Sequence, residues 1–405
     1  MKSAIQKFFS LAKNHFYNSS KVSVRIIEDV LGSEHPETAT IYNNLAIVFQ
    51  DMSNYSEALK CYEKALFIRE KVLGTEHPDT ASTYNNLALL YNDIGDFKRS
   101  LLYYKQAMTI SEKILGTDHP DTATIYNNIA MVYQSYGDYA TSLIYFKKAL
   151  SISEKIYGTN HQITAITYDN IGCVYYYKGS YEQALRFHKK ALKIMEISRG
   201  NDHPDTASIY NNIALAFNRM QKYDNALFYN TKAMKIREKY FGPTHRETGA
   251  TYGNIAIVYQ NKENYKKALE YAGKSLTILE SVLGTEHLDT AKQYDNIGIL
   301  YQKMKNYEKA LLYHKKAKEI EEKVLNPLHP DLAITYLNIA LALYETNNNK
   351  TAIVYAHKAE NIYKTLDGCN YPIMNDIYAL LFQLYFKENN LEKAQHYFIK
   401  ISHLY

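Results

Sequence analysis

Cysteine is nearly missing from this chain. Cys61, Cys173 and Cys369 are three in 405 residues, odd in number and far apart, which excludes a disulfide framework, fits a reducing compartment and leaves each thiol the part of a small apolar residue. Long hydrophobic runs are missing too. The opening MKSAIQKFFSLAK is interrupted by Gln6, Lys7 and Lys13, so no secretory core forms, and no stretch approaches the length of a membrane span. A soluble, cytoplasmic protein is expected. Charge of one sign is also lacking: 47 basic and 42 acidic side chains lie scattered along the chain for a net +5, without the clustered basic face that nucleic-acid binding requires. Nothing reads as a strand. Catalytic signatures are equally scarce: no nucleophile–base pair or metal-spaced cluster stands out, and Gly273-Lys274-Ser275 imitates a phosphate loop only by chance, because Ala268 stands where that loop needs glycine. No enzymatic activity, cofactor or metal is expected.

What the chain does have is a period. Glycine occupies positions 32, 74, 116, 158, 200, 242 and 284, Asn326 takes the next place and Gly368 follows, each 42 residues after the last. A repeat of this length is one supersecondary unit that cannot bury its apolar face alone. The full units are 32–73, 74–115, 116–157, 158–199, 200–241, 242–283, 284–325 and 326–367, preceded by a partial, capping repeat at 1–31 and followed by a capping helix pair at 368–405. Each unit opens with a helix start such as His77-Pro78-Asp79-Thr80, where proline suits the first helical position and the acid suits the positive end of the helix dipole. A helix of about sixteen residues follows, then a turn such as Gly95-Asp96 or Gly137-Asp138, then a second helix of about eighteen. Three departures stand out: His161-Gln162-Ile163 lacks the proline and acid, Gly249 and Gly253 enter a first helix, and Asn326-Pro327 replaces the glycine link. Glycines inside a helix predict flexibility near 242–283.

At 100° per residue, Tyr42, Leu45, Ala46 and Phe49 share one face of the first helix, opposite Thr40, Asn43, Asn44, Ile47 and Asp51. On the second helix Ala58, Tyr62 and Ala65 form a stripe whose alanines admit a close neighbour. This aromatic, leucine, small, aromatic order followed by alanine, aromatic, alanine resembles the tetratricopeptide repeat, with Tyr42 in the place of its usual tryptophan. The 42-residue length and the HPDTA-x-x-YNNLA opening are similar to the repeat of kinesin light chains, strongly over 32–367 and weakly at the ends. Those proteins also carry an N-terminal heptad coiled coil, and residues 1–31 show no heptads. The resemblance implies an all-α, right-handed α-solenoid, a superhelix of stacked antiparallel helix pairs, whose concave face binds extended segments of other proteins.

Asn44, Asn86, Asn128, Asn170, Asn212, Asn254, Asn296 and Asn338 recur in mid-helix, where asparagine is only a moderate helix former. The resemblance places this row in the groove, where similar amides hold the main chain of a bound peptide; the same amides are also able to tie one hairpin to the next. The preceding row is Asn43, Asn85, Asn127 and Asn211, with Asp169, Gly253, Asp295 and Leu337 elsewhere. Ile166, Tyr176, Tyr177 and Arg219 add aromatic and arginine anchors to that face, so the surface from Asn128 to Arg219 is the preferred peptide site, set against a bland half-exposed reading of the tyrosines. The family's carboxylate clamp needs clustered bases, and only Arg219, Lys292 and Lys303 are available. Histidines 35, 77, 119, 161, 203, 245, 287 and 329 also keep the period; without a partner at i+3 or i+4 they are expected to close the start of the first helix and not to chelate metal. Glu70-Lys71 and Glu154-Lys155 are expected on a solvated face. The reading is a non-catalytic scaffold. Its alternatives are a single-stranded RNA-binding helical repeat and a light-chain-like cargo adaptor, with self-association through the terminal hairpins as a further partner mode.

Overall fold

The computed structural model describes residues 28–29, 32–365 and 373–402. Every element in them is a helix, paired in chain order: α1 (Pro36–Asp51) with α2 (Tyr55–Leu73), α3 (Pro78–Ile94) with α4 (Phe97–Ile114), α5 (Pro120–Tyr136) with α6 (Tyr139–Tyr157), α7 (Gln162–Tyr177) with α8 (Tyr181–Ser198) and α9 (Pro204–Arg219) with α10 (Tyr223–Phe241). Then come α11 (Arg246–Asn261) and α12 (Tyr265–Val282), α13 (Leu288–Lys303) and α14 (Tyr307–Val324), α15 (Pro330–Glu345) and α16 (Asn349–Thr365), and α17 (Ile373–Lys387) and α18 (Leu391–Ser402). The helices form two compact units, residues 1–240 with 281–284 and residues 241–280 with 285–405. Each is a stack of helical hairpins, the α-solenoid class that the period predicts. Apart from Glu28 and Asp29, the N-terminal cap expected at 1–31 lies outside the described residues, as do Gly368 and Cys369.

The repeated opening has a mechanical reason. His77 caps α3, its Nδ1 accepting the Asp79 amide at 3.1 Å, and His119 and His203 do the same for Asp121 and Asp205. Thr80 and Thr122 reach back to the carbonyls of the linking glycines Gly74 and Gly116 at 2.8 and 2.9 Å. Gly74 holds a φ of +89°, a conformation that strains any residue with a Cβ. The degenerate start at residue 161 keeps the device: His161 still accepts the Ile163 amide at 3.2 Å without help from proline or acid. At the changed link, Asn326 uses its own side chain to accept the Leu328 amide at 2.9 Å.

Core positions follow the stripe read from the sequence. Tyr42, Ala46, Phe49, Ala58, Tyr62 and Ala65 are all buried, while Leu45 is half-buried at the edge of that core. Hairpins are joined by a second row. Tyr84, Tyr126 and Tyr210 donate their hydroxyls to Glu70, Glu112 and Glu196, fourteen residues earlier on the preceding second helix. Tyr294 and Tyr336 repeat the bond to Glu280 and Glu322 at 2.6 and 2.9 Å. The expectation of a purely solvated Glu-Lys face is therefore corrected. Lys71 and Lys155 do stay exposed, paired with Glu34 and Asp118, but the glutamate beside each is half-buried and fastens the next hairpin. Gly249 and Gly253 sit within the unbroken α11, where a Cβ would come within 3.1 Å of Ile278 and of Gln293 respectively. Close approach is a packing reason for glycine there.

Candidate functional site

Because each unit repeats the same turn geometry, first helices stand side by side: α1, α3, α5, α7 and α9 in the first unit, and α11, α13, α15 and α17 in the second. Their shared face carries the asparagine row. Asn44 is exposed, and Asn86, Asn128, Asn170 and Asn212 are half-buried, as are Asn254, Asn296 and Asn338 in the second unit. Four of these amides reach the preceding hairpin: Asn86 and Asn128 donate Nδ2 to Asn43 and Asn85 at 3.0 Å, and Asn212 and Asn338 donate to Asp169 and Asp295 at 2.8 Å. The preceding row is thus the acceptor row of a joint, in which Asn43 is buried. Between Asn170 and Asn127 the bond is not made, and Asn127 Oδ1 is buried with no hydrogen-bond partner. Asn296 has Gly253 in the acceptor position and nothing there to bond.

Two hairpins change this joint in the same way. Asp169 accepts from Asn212 on one oxygen and meets His188 Nδ1 at 2.6 Å on the other; Asp295 does so with Asn338 and with His314 Nδ1 at 2.5 Å. Both histidines are fully buried, and each lies over a glycine where six other units have alanine: a Cβ on Gly172 or Gly298 would stand 2.6 Å from the imidazole. The three changes are one device. Cys173 brings a third ligand type beside Asp169 and His188, all within 4.8 Å. However, both carboxylate oxygens are engaged, burial with the help of Asp169 pushes the thiol's pKa up and disfavours thiolate, and the twin at Asp295–His314 works with Ile299 in the cysteine's place. The geometry serves the joint. Sequence reading missed it because the partners lie 19 residues apart on different helices; the signal was the coincidence of Asp, Gly and His in the same two units.

Of the anchors named from the sequence, Tyr176, Tyr177 and Arg219 lie together at the end of α7, and Ile166 stands near its start, about 16 Å away along the helix. Ile166 and Tyr177 are 48% and 59% exposed, Tyr176 packs edge-on against Tyr177 and tilted against Tyr181, and Arg219 donates Nε to the Tyr176 hydroxyl at 3.1 Å across the hairpin boundary. That hydrogen bond raises the guanidinium's pKa above its ordinary value, with burial opposing. Asp51 and Asp93 lie on the same face at its other end, where Gln50 donates to Asp93 at 2.6 Å. Lys292 and Lys303 belong to the second unit, and Lys292 is paired with Asp331 at 3.2 Å. Among the described residues no helix is long and apolar enough to cross a membrane.

Solved structures of similar fold include a Rap protein complexed with competence and sporulation factor, at 13% identity over 91% of this chain and 98% of that one with a TM-score of 0.59. The Rap conjugation gene regulator of plasmid pLS20 in complex with the Phr* peptide matches at 17% identity over 71% and 74%, TM-score 0.54. A putative kinesin light chain of Podosopora anserina with nearly identical TPR-like repeats matches at 19% identity over 51% and 97%, TM-score 0.42. At such identities the two Rap likenesses speak for the fold alone. No curated protein matches the chain. The tetratricopeptide repeat model matches overlapping stretches at 23–71, 37–113, 95–155, 121–197, 174–239, 205–281, 247–323 and 289–365, and a match over most of its length means that the chain belongs to the tetratricopeptide repeat family.

Proposed function

We propose that this protein is a non-catalytic interaction scaffold whose first-helix face, from Ser82 to Arg219, binds an extended segment of another protein. The observation that carries the reading is the composition of that face: a row of half-buried amides, interrupted by exposed Ile166, Tyr177 and Arg219, over which none of the described helices of the first unit packs. Amides accept and donate to a peptide main chain, while aromatic and arginine side chains are the usual interface anchors. Two proteins of similar fold are seen in complexes, a Rap protein with competence and sporulation factor and the pLS20 regulator with the Phr* peptide, and the second of these is a ligand of the class proposed. A single-stranded nucleic acid would need bases on this face, and it carries Asp51, Asp93 and Asp169 against Arg219.

The test must separate binding from joint formation. Since Asn128 and Asn212 tie hairpins together, alanine there would lower stability as well as affinity. Ile166→Ala with Tyr177→Ala avoids that difficulty, because both side chains are substantially exposed. Partners recovered on the wild-type protein should bind this double variant about tenfold or more weakly, with an unchanged melting temperature. Equal affinity for partners of both proteins would move the binding surface elsewhere.

A further inference from the structure

One position near the end of the second helix is buried in all eight full units: Arg69, Ser111, Ser153, Met195, Arg237, Leu279, Glu321 and Tyr363, spaced by the period. Arg69 shows what the seam accepts. Its guanidinium donates to the Asp79 carbonyl and Thr83 Oγ1 at 2.7 Å and to Thr40 Oγ1 at 3.3 Å. Arg237, one of the later residues of this row, likewise donates to Ser208 at 3.1 Å.

One hairpin on, Ser111 is too short to fill the same space, and a cavity of about 300 Å³ remains between α3, α4 and α5. Asp121, Ile125 and Ser82, the counterparts of all three Arg69 partners, line it. Ile110 and Ile114 provide apolar wall for a methylene stem, and Asn85 and Asn86 of the amide row stand at the same cavity. Ser82, Asp121 and Thr124 are exposed, so the cavity opens to the surface on the face proposed above. Ser111 itself is satisfied by Thr122 Oγ1 at 2.8 Å.

We infer that this cavity is a receptor slot for an arginine side chain of the bound segment, which takes in trans the place that Arg69 takes in cis. The inference rests on the groove reading and names its ligand chemistry: a guanidinium carried on an extended chain. The Asp121 carbonyl and Ser82 hydroxyl take the two ends of its planar fork, and the Asp121 carboxylate, 75% exposed, adds the opposite charge at the mouth. Ile125 replaces Thr83 and removes one acceptor relative to the internal template.

The probes are short fluorescent Gly/Ser peptides with a central arginine, citrulline or norleucine, followed by anisotropy on the full chain. They are too short to reach Tyr177, so they read the slot without the anchor patch. The arginine peptide should bind about tenfold tighter than the citrulline peptide. Ser111→Arg, which supplies the side chain internally, should abolish that preference and keep or raise the melting temperature; Asp121→Asn, on an exposed side chain, should shrink the preference several-fold even if Ser111→Arg folds poorly. Equal binding of the arginine and citrulline peptides, an arginine preference that survives Ser111→Arg in a folded protein, or no binding at about 1 mM would each overturn the slot. Partner loss in the Ile166/Tyr177 double variant would still uphold the groove in those cases.

Discussion

At the residue scale, the seam position shows how one site in a repeat sets different physics in different copies. Where the Arg69 guanidinium makes three hydrogen bonds, Glu321 is 3% exposed and its Oε2 has no hydrogen-bond partner. Burial pushes its carboxyl up to about 8, with Asp295 and Asp331 adding and the Thr335 hydrogen bond and Lys292 opposing. The folded protein thus keeps a proton that the unfolded chain gives up near pH 4. Stability is fullest below that value and falls as pH rises towards 8. Glu321→Gln keeps the shape and removes the titration, so it should raise stability by ~2 kcal/mol at pH 8 and by little at pH 4. Melting temperatures of both proteins across that range measure it. Parallel profiles would show that Glu321 is ionised at no cost, and a loss at pH 8 would show that its charge is needed.

At the scale of elements, the buried Asp–His pairs tie the two helices of a hairpin to the next hairpin, and the glycine beneath each histidine makes room for them. Gly172→Ala should push His188 off Asp169 and lower stability by about 2 kcal/mol. Gly273→Ala is the matched control. It too lies inside a helix, but its Cβ would meet nothing within 4 Å, so the same change should raise stability by ~0.5–1 kcal/mol. Equilibrium denaturation of the two variants should give opposite signs; equal signs would sink the argument. Such joints explain what was legible in the sequence and what was not. Helix bounds and histidine caps repeat eight times, the alanine stripe recurs with serine in a few copies, and all reach only a few residues along the chain, so each copy confirms the last. Tyr126 and Glu112, Asp169 and His188, or Asn128 and Asn85 are contacts between helices, and sequence distance gives no hint of them. The amide row was visible as a row, and a tie to a neighbouring hairpin was one of its two readings, but the partner each amide takes was visible only once first helices stood side by side. The slot at Ser111 was hidden for the opposite reason: serine is unremarkable until the neighbour that fills its place, Arg69, is seen.

At the scale of the whole molecule, stability should be local. Within the first unit each hairpin leans mainly on its chain neighbours, through one tyrosine–glutamate bond, the seam side chain and, except between Asn127 and Asn170, one amide bond. Arrays of this kind behave as nearest-neighbour systems, in which damage to one repeat spreads over adjoining repeats and fades. Gly172→Ala offers a defined injury at α7 and α8. Amide hydrogen exchange of the variant against the wild type should accelerate most in α7 and α8, less in α6 and α9, and hardly at all in α1 and α2, whose core of Tyr42, Phe49 and Tyr62 touches none of the altered side chains. That gradient matters for the proposed groove, because a ligand laid across α3 to α9 would stitch together hairpins that otherwise open separately, and its protection should be largest where the native joint is weakest, between Asn127 and Asn170. Acceleration of equal size in every helix of the first unit would instead mark it as one cooperative block, and a bound segment would then have no local joints to reinforce.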